Sequence, residues 1–205
     1  MRFADTKLPR HPVIEKAFDE LTRLDTGDQF TERGVHIARI IAADSLTKDP
    51  EAIAAGLLVP LTSDAGPVLL AQAEIPPRVT EIVQAVFAVG GLAMSSEPVE
   101  EFYTALDSGA RAVILASSFR MFEVMAAEME ESLAVSRKSG AAADADYLRQ
   151  TLDPVKKFSA MICKAETVER PLAEKCDDAV AKIEALINGA NNPQKPSAQV
   201  RPPSP

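Results

Sequence analysis

Tryptophan is absent from this chain and aromatic residues make up only 5% of it, so its interior must be filled by Ala, Leu, Ile, Val and Met. That palette favours helices over strands. Cysteine occurs only at Cys163 and Cys176, and histidine only at His11 and His36. No CxxC pair is present and no His/Cys group has zinc-ligand spacing, so a zinc module is not expected, and the thiols read as reduced. No run approaches the roughly 18 apolar residues of a membrane span. The segment Met1–Lys7 has no apolar signal core. A cytoplasmic chain without membrane contact is expected. Net positive charge is also lacking: 30 Asp and Glu against 22 Lys and Arg leave a net charge of -8, with no basic patch visible along the chain, which argues against a nucleic-acid partner. Neither a GxGxxG loop nor a segment of strand period is present, and the fold class expected is all-α.

What the chain does have is proline at helix-opening positions. Pro12 opens a helix to about Leu24, with Val13, Ala17, Phe18, Leu21 and Leu24 on one face. The segment Asp25–Asp28 reads as a turn, and a second helix runs over about Glu32–Ala43. A third starts with Asp49 as cap and Pro50 as first residue, burying Ile53, Leu57 and Leu58. Pro60 cannot donate to the carbonyl of Gly56, so this helix must kink or stop near Gly56–Val59. A polar loop (62–67), a short helix over 68–72, and a helix from Pro76-Pro77 to about Val89 come next, the last stopped by Gly90-Gly91. The stretch 98–138 divides into two helices near Ser108-Gly109. Its run Ala112–Ala116 is apolar on every side, as in a helix surrounded by others. Helices are expected over 144–164 and 170–187, with Gly189 as the stop. The last seventeen residues hold five prolines and read as a disordered, Pro-rich tail.

Four stretches carry a resemblance: 17–27; Glu32–Ile40; the third helix with its loop and Ile75–Val83; and Ser108–Phe122. In order and spacing they resemble the HD superfamily, most narrowly the small stand-alone guanosine-tetraphosphate hydrolases and the SpoT-type hydrolase domain. The resemblance implies an HD-like helical bundle over 1–140, an additional C-terminal helical extension over 141–188, and the tail 189–205. In that family a divalent metal is held by His, His, Asp and Asp, and it activates water against a phosphate ester. Here the first His position falls on Arg33, the His-Asp pair on Val59-Pro60, and the last Asp on Ser117. A Glu-Asp pair that assists the chemistry becomes Ser63-Asp64. The Asn closing the central-helix motif becomes Met121. With every ligand replaced, the resemblance implies a vestigial pocket formed by Arg33, Val59, Pro60, Ser63, Asp64, Ser117 and Arg120, without metal or other cofactor.

Within that pocket, Arg33 can stand in for the lost cation and pair with Asp64; an ordinary surface arginine is the plainer reading. His36 beside an apolar stripe reads as structural or solvated, and His11 falls in an N-terminal segment expected to be mobile. Asp44, Asp49, Asp64 and Glu74 offer oxygen ligands for magnesium, but scattered acids on an acidic chain are ordinarily solvated. Ser117-Ser118 lacks a nucleophile elbow and a clear base, so both hydroxyls should bond back to the preceding turn. Phe119, Met121, Phe122, Met125 and Met129 read first as packing and second as an adaptable partner surface. The expected function is a catalytically inactive, pseudo-hydrolase domain acting as a protein-interaction or regulatory module. The alternatives are a guanine-nucleotide sensor without hydrolysis and a phosphohydrolase with relocated ligands.

Overall fold

Proline opens four helices: α1 (Pro12–Leu24), α3 (Pro50–Leu58), α4 (Pro60–Ser63) and α5 (Pro77–Ala93). Its missing N–H is no loss in a first turn, where amides lack helical partners anyway. The computed structural model describes residues 1–25, 29–43, 47–63, 70–93, 99–139, 156, 160 and 170–190. Within them lie also α2 (Gln29–Ala43), α6 (Val99–Thr104), α7 (Ser108–Ser139) and α8 (Arg170–Ala190). No strand occurs among the described residues, and the fold is all-α.

Caps set the remaining boundaries. The Val13 N–H donates to His11 Nδ1 at 3.3 Å. Asp49 Oδ1 accepts from the Glu51 N–H at 2.9 Å, and Asp107 Oδ1 from the Ala110 N–H at 2.9 Å. Each satisfies an amide that the helix cannot. The break before α7 therefore falls at Ala105–Asp107, just ahead of Ser108-Gly109. At Pro60 the α3 ladder ends with the Val59 N–H on the Ala55 carbonyl at 3.0 Å, and the chain resumes at once as α4.

Three expectations need correcting. Gly90-Gly91 does not stop α5, which continues to Ala93. Glycine in a helix interior costs about 1 kcal/mol relative to alanine but does not forbid the conformation. Gly189 likewise lies inside α8. The N-terminal segment is tied down. Arg39 Nε donates to the Thr6 carbonyl at 2.6 Å and its Nη2 to the Asp5 carbonyl at 3.2 Å. The Phe3 ring packs edge-on against Phe18, and Leu8 is buried. The turn residues 26–28, the loop 64–67, the first two residues of 68–72, most of 144–164, and the chain beyond 190 lie outside the described residues.

α3 is the centre of the bundle. It packs against α1, α2, α5 and α7, and every residue from Ala52 to Leu58 is buried. The run Ala112–Ala116 of α7 is buried throughout and belongs to the same core, save Ile114, which packs with Val89 and Tyr103. α2 and α3 meet at glycines. A Cβ on Gly34 would stand 2.1 Å from the Leu57 carbonyl oxygen, and one on Gly56 would stand 2.6 Å from Ile41 Cδ1. At Gly34 the backbone of α2 lies directly on that of α3, and at Gly56 the Ile41 side chain fills the space a Cβ would take.

A second core lies along α7 and α8. Phe122, Ala126 and Met129 of α7 close on Cys176, Val180, Ile183 and Ile187 of α8. Cys176 Sγ faces the Leu115 carbonyl at 3.8 Å, while Lys182 Nζ reaches Glu130 at 2.9 Å. Both pairings advance in the same direction, so the two helices run parallel. Lys156 also reaches this edge, its Nζ donating to Glu184 Oε1 at 2.6 Å.

The glycine contact generates a test. Gly34→Ala must push α2 off a backbone atom, and a loss of about 1–3 kcal/mol in urea unfolding is expected. Gly189→Ala, with nothing within 4 Å of the added carbon, should hold or raise stability by up to about 1 kcal/mol. Equal effects of the two would contradict the packing described.

Candidate functional site

The seven positions of the expected pocket divide among α2, the C-cap of α3, α4, the segment beyond it, and α7. Arg33 lies on α2 and is exposed. Val59 caps α3 and is half-buried against the main core, and Pro60 behind it is buried. Ser63 ends α4, and Asp64 lies outside the described residues, as does any contact between Arg33 and Asp64. Ser117 and Arg120 share α7.

The two serines of α7 behave as their helical setting dictates. Ser117 Oγ donates to the Val113 carbonyl and Ser118 Oγ to the Ile114 carbonyl, each at 2.7 Å. Hydroxyls in a helix interior take this backward bond when no other acceptor competes.

Arg120 is drawn into a charged cluster across the α2–α7 contact. Its Nη1 stands 3.5 Å from Glu123 Oε2, and the same oxygen lies 3.4 Å from His36 Nε2. The Glu123 carboxylate oxygen and Arg120 Nε are shielded from solvent yet make no hydrogen bond of good geometry. Desolvation lowers the His36 pKa first and Arg120 second, outweighing the opposing pull of Glu123. His36 is thus a neutral imidazole beside a carboxylate, partly exposed, and the contact contributes at most about 1 kcal/mol. Glu123 is a residue that sequence reasoning misses. Its only signal is the three-residue spacing from Arg120 within an otherwise apolar Met/Phe stretch.

A second cluster gathers the starts of α3, α5 and α7. Arg78 Nη2 lies 3.2 Å from Asp49 Oδ2 and 3.4 Å from Asp107 Oδ2, and its Nε lies 2.9 Å from Glu51 Oε2. These carboxylates raise the guanidinium pKa. Gly109 is hemmed in by the same acids, with a Cβ there falling 3.2 Å from both Asp49 and Asp107. Two of the three carboxylates already cap helices, so one arginine locks three helix starts together. Asp49 and Glu74, paired in the magnesium reading, serve different places. The Glu74 N–H donates to Glu20 of α1, and Asp49 belongs to the Arg78 cluster. Asp44 lies outside the described residues. Among the described residues, no three His, Cys, Asp or Glu side chains stand together as ligands for a metal ion. No described helix is long and apolar enough to cross a membrane.

Of the Met/Phe group, Phe122 and Met129 are buried in the seam between α7 and α8, and Phe119 and Met125 are half-buried beside it. Met121 is 46% exposed, and Val135, fourteen residues on and hence on the same side of the helix, is 59% exposed.

Comparison with family models, with curated proteins and with solved structures finds no match to this chain.

The depressed pKa of His36 has a sign that can be checked. In the unfolded chain the imidazole takes up a proton at its ordinary value near 6.5, whereas the folded chain resists it to lower pH. Stability should therefore fall as pH drops through 6.5 toward the folded value, and level off below it. His36→Asn is expected to flatten that dependence in urea unfolding monitored from pH 7.5 to 5. A wild-type curve unchanged by the substitution would remove His36 as its source.

Proposed function

We propose that this chain is a catalytically inactive, HD-like helical domain that works by binding a protein partner. The observation that carries the reading is the fate of the positions that the resemblance assigns to metal ligands. Val59 is packed on the main core and Pro60 is buried beside it. Neither can coordinate a cation or move a proton. Ser117 spends its hydroxyl proton on its own helix. Hydrolysis of a phosphate ester by this route needs a polarising cation and an activated water, and side chains of this kind supply neither.

A binding role is supported by the outer face of α7. Met121 and Val135 are exposed apolar residues on one side of a helix whose other side is buried, with the exposed Glu128 midway between them. Apolar side chains held at fixed spacing among charged ones on a helix are common anchors for a second protein. The guanine-nucleotide reading gains less support. Arg120, the arginine on α7 that would face phosphates, is already balanced by Glu123.

The test has two arms. A partner identified by cross-linking in cells, then purified, should bind the full chain and lose about tenfold or more in affinity for the double variant Met121→Glu, Val135→Glu at unchanged helicity. Manganese with guanosine tetraphosphate or simple phosphate esters should give no turnover. Manganese-dependent turnover, or partner binding indifferent to the double variant, would overturn the proposal.

A further inference from the structure

The N-terminal segment, once tied down by Arg39, forms one wall of a cavity. Its opposite wall is the approach to α3. The space measures about 390 Å³, within the range of small-ligand sites. Its floor is hydrocarbon, chiefly Ile14 and Ile53, both buried. Arg10, His11, Thr47 and Lys48 also line it.

Each polar group has a proton to donate, and no acceptor among the described residues takes it. Among the described residues no carboxylate pairs with Arg10 or Lys48. The acids at the start of α3 are engaged elsewhere: Asp49 holds the Glu51 N–H and Arg78, and Glu51 holds Arg78. Thr47 Oγ1 accepts from the Asp49 N–H at 3.0 Å, which leaves its hydroxyl proton to give. His11 accepts at Nδ1 from the Val13 N–H, which leaves the proton on Nε2 to give. A chain with a net charge of -8 has thus placed two cations without a carboxylate partner among the described residues, and two further donors, around one apolar-floored hollow.

We propose that this cavity binds a small organic phosphomonoester, its phosphate held by Arg10 and Lys48 with Thr47 and His11 donating, its apolar body on Ile14 and Ile53. Two cations match the charge of a monoester near neutral pH, close to -2. Charge-assisted hydrogen bonds from a guanidinium are the strong kind. A carboxylate offers only one charge to the pair, and inorganic phosphate offers nothing to the floor. The site shares no residue with Val59, Pro60, Ser117 or Arg120, and it does not depend on the proposed partner role.

Titration of the full chain with phenyl phosphate, inorganic phosphate, benzoate and phenol, by calorimetry and by amide chemical shifts, decides the matter. Phenyl phosphate is expected to bind with Kd of about 1 mM or tighter, with inorganic phosphate and benzoate at least about tenfold weaker and phenol undetected. Arg10→Gln and Lys48→Gln alter exposed side chains, so the fold should persist, checked by helicity. Each should weaken phenyl phosphate by about fivefold or more, and shifts in the wild type should centre on residues 9–14 and 47–53. Three results would sink the proposal: no phenyl phosphate binding up to about 10 mM, benzoate or phenol binding as well as phenyl phosphate, or both variants binding phenyl phosphate as tightly as the wild type.

Discussion

The bundle depends on one close approach. Gly34 of α2 lies against the Leu57 carbonyl of α3 with too little room for a methyl group, and Gly56 receives Ile41 from the other side. A helix that lacks large side chains gains from dispersion only if its neighbours come very near. α3 is such a helix: Ala52, Ala54, Ala55 and Gly56 are more than half of its buried stretch. Two glycines let the backbones meet, and the flanking Leu57 and Leu58 then reach deep enough to be fully buried. A chain without tryptophan and with few aromatics has few other ways to build a dense interior. The register set at Gly34 also orients the neighbouring residues of each helix: Arg33 faces outward beside the contact, and Val59-Pro60 turn the chain into α4 just past it.

Local signals are legible in the sequence, and partner-dependent ones are not. The start of α1 at Pro12 and of α3 at Asp49-Pro50 can be read from the residues themselves, because a cap and a proline act within one turn. The interruption at Pro60 is legible for the same reason. Gly90-Gly91 misleads because a glycine pair permits a stop without requiring one. Gly34 gives no sign of its role, since nothing in the sequence of α2 states which atom of α3 will face it. The N-terminal segment reads as mobile on similar grounds: its anchor, Arg39, lies more than thirty residues away and binds backbone carbonyls.

The site is legible in a similar proportion. Backward bonding of Ser117 and Ser118 is expected from helix geometry alone and is present. Glu123 escapes notice because its neighbours are apolar and its partner His36 comes from another helix. The cationic hollow escapes for a different reason. Net charge is a sum, and a chain at -8 can still gather Arg10 and Lys48 around one hollow if its acids are drawn to Arg78. That single guanidinium holds Asp49, Glu51 and Asp107, which leaves the cations behind α3 without carboxylate neighbours among the described residues.

The length of α7 explains the second core. At about 1.5 Å per residue its 32 residues span roughly 48 Å, more than one small core can cover. The N-terminal part, Ala110–Ala116, is enclosed by the main bundle, and the remainder needs another partner. Along it Phe122, Ala126, Met129 and Leu133 recur at intervals of four, three and four. Cys176, Val180, Ile183 and Ile187 recur on α8 with the same intervals. Matching repeats of seven on two parallel helices are the pattern that keeps a seam face to face, and the Lys182–Glu130 pair flanks it. Because Leu172 and Ala173 of α8 also belong to the main core, the seam is continuous with the bundle and is not a separate body. α7 is therefore braced along one side for most of its length. That rigidity fixes the spacing of Met121 and Val135, and a helix face with fixed spacing meets a partner without an ordering cost of its own.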